Sequence, residues 1–307
     1  MLNPILAFSA TRRMRSFRTM LIVIAYIAAL LTLALLILGP FLSDRIFLSS
    51  FSQSTYAYLA MIAVQFGLLI LIAPAMTSGA IAGERERQTL DLLLVTNTGS
   101  FRILMGKVME SFAVLALLIF CGMPVMCLCL LTGGITVGQI LIGELFLLAE
   151  AFACVSIGVF CSTLFRSTAV SAVISYMIII VIGVVTTLPL LLDYPQSITN
   201  VLYDSKQYAA LTAAGARAML PPLLYLNPGF GLLALAQGEM HVLSDRISRM
   251  GWGRAYAACL MADRAGWIFI AIACAACMII ISLILLAIAS LLIRRGNRKK
   301  AYVTSSS

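Results

Sequence analysis

Six stretches of about 20 residues with almost no charge dominate this 307-residue chain: approximately Met20 to Leu38, Ala57 to Met76, Val108 to Leu131, Ile140 to Leu164, Ala169 to Leu192 and Trp267 to Ile293. A helix crosses some 30 Å of hydrocarbon with roughly that many residues. Lipid offers the backbone no hydrogen bonds, so each crossing segment must satisfy its own amides, and such runs take the α-helical form. The predicted fold class is therefore all-α: a polytopic membrane protein with six transmembrane helices. The fourth run contains Glu144 and Glu150, yet it counts as a span because LFLLAEAFACVSIGVFCSTLF is long, apolar and rich in small residues that let helices approach. Composition agrees: 62% of the residues are hydrophobic and 11% charged, where soluble proteins carry roughly 25% charged residues. The mean hydropathy of +1.05 excludes an ordinary water-soluble globule. Seven of the eight cysteines fall inside the apolar segments, where thiols behave as small apolar side chains, so no disulfide framework is read from the count.

Six spans put both termini on one side, and the basic residues say which. Arg12, Arg13, Arg15, Arg18, Arg85, Arg87, Arg102, Lys107, Arg166, Arg294, Arg295, Arg298, Lys299 and Lys300 gather on one face, while the short loops opposite hold only Arg45. By the positive-inside rule the termini are expected to be cytoplasmic, in the bacterial cytoplasmic membrane. The net charge of +9 is then topological, and nucleic acid is not an expected partner. The first run is too long for the apolar core of a cleavable signal and is followed by GPFLSDRIF, so the N-terminus is expected to be retained. Ahead of the Arg cluster, Ile5, Leu6 and Phe8 suit a short interfacial helix or flanking anchor. The whole chain, residues 1–307, reads as one transmembrane domain with two non-membrane regions. Residues 77–107 form a cytoplasmic connection. Residues 193–266 form an external region, in which MLPPLLYLNPGFGLLAL is broken by Pro221, Pro222, Pro228 and Gly229 and is expected to form helices lying at or dipping into the interface.

Catalytic signatures fail. GSFRILMGKV resembles a nucleotide-binding loop, but six residues separate Gly99 from Gly106 where the loop needs four, and Val108 stands in place of the hydroxyl that would hold magnesium. Gly229, Gly231 and Ala234 spell a dinucleotide-binding pattern without the strand that must precede it. Cys274 and Cys277 form a CxxC pair in mid-span, where close helix packing is the expected role. With His241 the single histidine, no two-His metal motif, cofactor site or serine-histidine pair is available, and the chain reads as a non-enzyme.

The stretch SGAIAGERERQTLDLLLVTNTGSFRILMGK, Ser78 to Lys107, is dense in charge and then apolar. As a helix from about Ile81 it sets Glu84, Gln88 and Asp91 on one face and Leu90, Leu93 and Leu94 on another, with Glu84 to Arg87 and Arg87 to Asp91 pairs along it. Exposed pairs of that kind contribute only about 0.3 to 0.5 kcal/mol each. Such a helix suits being pushed by a partner, and it equally suits a solvated interfacial hairpin.

This stretch resembles the signature of ABC-2 type transporter permeases, with Glu84, Arg85, Thr89, Leu90, Leu92, Leu93, Gly106 and Lys107 matching its E-R, T-L, leucine and G-K positions. Gln88 stands where that signature usually has glycine, and Asn97 to Thr98 where a proline is common. The opening NPIL with its arginine cluster, and STLFRSTAVSAVISY with Ser162, Phe165, Arg166 and Ala169, are similar to the same family. The resemblance implies the membrane half of an ATP-binding-cassette exporter, with a second permease subunit, alike or different, and a separate ATPase on the cytoplasmic side. Glu84, Arg85, Arg87, Thr89, Asp91 and Arg166 are the ATPase contacts it implies. A chain with no phosphate-binding loop would need that energy source in trans. Two other functions fit the same spans: a module coupling ATP hydrolysis to assembly or maturation of external proteins, and an ion-driven secondary transporter.

Within the membrane, Glu150 lies roughly 15 Å along the fourth span, where a carboxylate costs at least about 2.5 to 3.5 kcal/mol. It is expected either to face a pathway or to be protonated and bonded to a neighbouring helix. Glu144 is expected nearer the external surface, about 120° away around the helix, and Glu110 near Lys107 at the cytoplasmic face; both are read as interfacial.

Overall fold

The computed structural model describes residues 17–43, 51–88, 100–132, 135–191, 225–237 and 264–305. Within them the chain is helical: α1 (Phe17–Ser43), α2 (Phe51–Thr77), the short α3 (Ala82–Glu86), α4 (Ser100–Cys127) running into a 3-10 turn (Leu128–Thr132), α5 (Val137–Leu164), α6 (Thr168–Leu191), α7 (Pro228–Gln237) and α8 (Arg264–Ser305). Six of these, α1, α2, α4, α5, α6 and α8, are long and apolar enough to cross a membrane, and they coincide with the six runs read from the sequence. The protein is an all-α, multi-pass membrane protein.

The span that looked least apolar is the most enclosed. In α5, 67% of the most apolar stretch is buried within the bundle, against 17% for α1 and α6. Its composition explains this, because Ala151, Ala153, Ser156, Gly158 and Ser162 present little bulk and let neighbouring helices close in. Gly158 is pressed against Thr77 of α2, and a β-carbon there would collide with the threonine hydroxyl. Gly143 meets Tyr58 and Ile62 of α2 in the same way. Around α5 the core is built from Leu30, Met61, Leu115, Leu118, Leu147, Val155, Cys274 and Leu286.

Four serine and threonine hydroxyls find acceptors within their own helix. Thr77 donates to Ala73 O at 2.8 Å, Ser156 to Phe152 O at 2.8 Å, Ser175 to Ser171 O at 2.7 Å and Ser282 to Met278 O at 2.7 Å. This is how a serine or threonine is carried in lipid at small cost. At its start α5 has a capping box: Thr136 Oγ1 accepts from Gln139 N, and the Gln139 side chain accepts from Thr136 N.

Two connections meet at one end of the bundle, the α2 to α4 connection that contains α3, and the three-residue link Phe165 to Ser167 between α5 and α6. In the region between spans 5 and 6, the described piece packs against the bundle. Pro228 opens α7, and Asn227 caps it, accepting from Gly229 N at 2.8 Å and Phe230 N at 3.1 Å. Asn227 also donates to Gly183 O of α6 at 3.4 Å. Phe230 is 1% exposed, and Gly231 sits against Phe146 of α5 and Cys274 of α8.

Candidate functional site

The end where the two connections meet is built on α3. After Thr77 the chain turns through Ser78 to Ile81, with Ala80 N donating to Thr77 O at 3.0 Å, and forms just over one turn of helix. That helix stops at Glu86. Arg87 N returns to Gly83 O at 3.2 Å, Gln88 N returns to Arg85 O at 3.1 Å, and Gln88 takes φ 57, in the left-handed region. The helix expected to carry Glu84, Gln88 and Asp91 on one face is therefore not formed. A residue in the left-handed conformation ends a right-handed helix, and this is the position where glycine is favoured. Thr89 and Asp91 lie outside the described residues.

Charge pairing also departs from expectation. Glu84 does not pair along its own helix with Arg87; its Oε1 meets Lys107 Nζ of α4 at 2.7 Å. Lys107 also lies 3.8 Å from Glu110, as the sequence suggested. The G-K of the signature therefore sits inside α4, which begins at Ser100, and its lysine ties α4 to α3. The pair is partly exposed, so it is worth on the order of 1 kcal/mol or less.

Arg85 and Arg166, 81 positions apart in sequence, are brought close enough for their like charges to interact. Arg166 is exposed on the link between α5 and α6, Arg85 is partly buried, and Arg87 is exposed. The result is a basic surface on a rigidly seated turn, with Glu84 turned away into its pair with Lys107.

Two further residues hold that turn in place. Ser162 of α5 is fully buried; its Oγ accepts from Ile81 N and Ala82 N at 2.9 Å each and donates to Ser78 O at 2.8 Å. Glu86 reaches α6, where Oε1 accepts from Thr168 N at 2.8 Å and both oxygens lie within 3.3 Å of Thr168 Oγ1. Ser162 lies in a segment whose family likeness was noted, but a hydroxyl's partner 80 residues away leaves no mark in a single sequence.

The intramembrane carboxylates separate into two environments. Glu150 is 2% exposed, and among the described residues neither carboxyl oxygen has a hydrogen-bond partner. Among the described residues it bonds to no neighbouring helix, and it lies within electrostatic reach of Cys154 and of Cys274 on α8. Glu144 faces the interior of the bundle. It is 7% exposed, its Oε2 accepts from Gln65 Nε2 of α2 at 3.1 Å, and its charge is felt by Tyr26 and Tyr58. Enclosure of α5 explains the contact, since a carboxyl on its inner face meets the amide of α2. Among the described residues no group of three His, Cys, Asp or Glu side chains is arranged to hold a metal ion.

A family model described as an ABC-2 family transporter protein matches residues 12–295, which takes in all six spans and the α3 turn. No curated protein matches the chain significantly.

Proposed function

The chain belongs to the ABC-2 transporter family, as a membrane-embedded permease component, and on that premise we propose that it serves an exporter whose ATPase is a separate chain bound at the α3 end. That end faces the cytoplasm of a bacterial cell, and a second permease subunit, a copy or a relative, completes the membrane pathway. The observation that carries the reading is the basic surface of Arg85, Arg87 and Arg166, gathered from two connections onto one seated turn. With three arginines against the exposed Glu86 the surface is net basic, and such a fixed surface calls for a partner of the opposite sign, so the ATPase presents an acidic face here. Thr89 and Asp91, next along the chain, belong to the same contact. ATP-driven closure of the ATPases moves the turn, and the spans attached to it switch access between the two sides.

Glu84 supports the site from within by holding Lys107 and does not meet the ATPase. Co-purification from detergent tests both halves of this reading. Arg85→Glu with Arg166→Glu is expected to weaken ATPase retention about tenfold for each reversal, roughly 1.4 kcal/mol apiece. Glu84→Lys alone is expected to reduce coupling, and the swap Glu84→Lys with Lys107→Glu to restore it. Full retention of the ATPase by the double Arg reversal would overturn the docking site, and no rescue by the swap would return Glu84 to the contact surface.

A further inference from the structure

A push on a five-residue helix must be carried to the spans, and α3 has no side-chain cap of its own. Its first amides have no partner inside the helix. They are satisfied instead by Ser162, which takes Ile81 N and Ala82 N and returns its proton to Ser78 O. The other end of α3 does the reverse. Glu86, its last residue, supplies the acceptor that the first amide of α6 needs, at Thr168 N. The short helix is thus capped by span 4 and caps span 5. Thr168 Cγ2 also lies 3.5 and 3.8 Å from where β-carbons of Gly83 and Gly79 would stand, ordinary contact distance, so the turn lies against α6.

We propose that Ser162 and Glu86 are positioning residues that join α3 and the link between spans 4 and 5 into one mechanical unit, so that displacement of α3 is delivered to the ends of spans 4 and 5. The proposal deepens the coupling role given above and rests on it. Span 3 is held to the same turn through the partly exposed Glu84 to Lys107 pair, a contact that solvent weakens. The link to span 4 is made through the buried hydroxyl of Ser162 and two backbone amides, and the link to span 5 through the exposed Glu86 to the first amide of α6.

The test uses the full chain in lipid nanodiscs with the ATPase that co-purifies with it. An environment-sensitive fluorophore, introduced as an unnatural amino acid at the exposed Val185 near the far end of span 5, reports the response to ATP. Glu86→Ala is expected to retain the ATPase and its hydrolysis rate while the ATP-dependent signal falls about fivefold, the scale of a lost helix cap. Glu86→Gln keeps an oxygen that accepts Thr168 N–H without the charge, and is expected to behave as the unmodified protein. Ser162→Ala is expected to match Glu86→Ala; since Ser162 is buried, the surface variant carries the test if this one misfolds. An undiminished signal in Glu86→Ala overturns the proposal. So does failure of Glu86→Gln alongside Glu86→Ala, because the role of Glu86 would then lie in its charge. If the unmodified chain holds no ATPase, the coupling role itself falls and this proposal with it, and that failure is visible before any variant is made.

Discussion

Gln88 holds the left-handed conformation without the freedom of glycine, at a strain of about 1 kcal/mol. The sequence already marked this position as one where the family signature has glycine, and the backbone supplies the reason. Gln88→Gly is therefore expected to stabilise the protein by about 1 kcal/mol, read as a rise in the thermal midpoint in detergent; a fall would mean that the glutamine side chain makes a compensating contact. Other residues were legible only in part. Glu84 announced itself as a charged group in the turn, but its partner is Lys107 on another helix, and local spacing favoured Arg87. Glu144 and Glu150 were both recognisable as costly carboxylates. The sequence could not say that one would meet Gln65 and the other, among the described residues, no donor, because the difference arises from which helix faces each side of α5. Ser162 and Glu86 carry the connections of the turn, and neither stood out as chemistry because their partners are mostly backbone amides.

Whole elements were easier to read than their partners. Span number and approximate bounds follow from apolar length, and all six appear where the runs lie. Ends were less legible. The fourth span starts earlier than Ile140 because Thr136 and Gln139 close a capping box, a T-x-x-Q signature visible in the sequence and passed over beside the stronger apolar signal. Thr136→Ala is expected to cost about 1 kcal/mol of stability, measured by thermal unfolding in detergent, and no loss would mean that packing alone sets that end. The last span continues as helix to Ser305, well past Ile293 where the apolar run stops. Lys, Arg and Ala after that point are good helix formers and no proline interrupts them, so the loss of apolar character ends the span and not the helix. The third span likewise begins at Ser100, taking Lys107 into its first turns.

At the scale of the molecule, composition and charge asymmetry sufficed for a six-span bundle, and the family match over residues 12–295 agrees with the likeness carried by the α3 turn. The order of packing was not legible, since every span is apolar and only the three-dimensional arrangement puts α5 at the centre. Orientation is the prediction that belongs here. Arg87→Cys, at an exposed site on the α3 end, is expected to react with a membrane-impermeant thiol reagent only after cells are opened. Labelling in intact cells would invert the topology and remove the ATPase from that face. One consequence of the architecture reaches across the bilayer. Span 5 is gripped at Thr168 by Glu86 and again at Gly183 by Asn227, two points about 22 Å apart along a stiff helix. A stiff rod held at two points carries a displacement from one to the other, so a shift at Glu86 is felt at Asn227 and the start of α7.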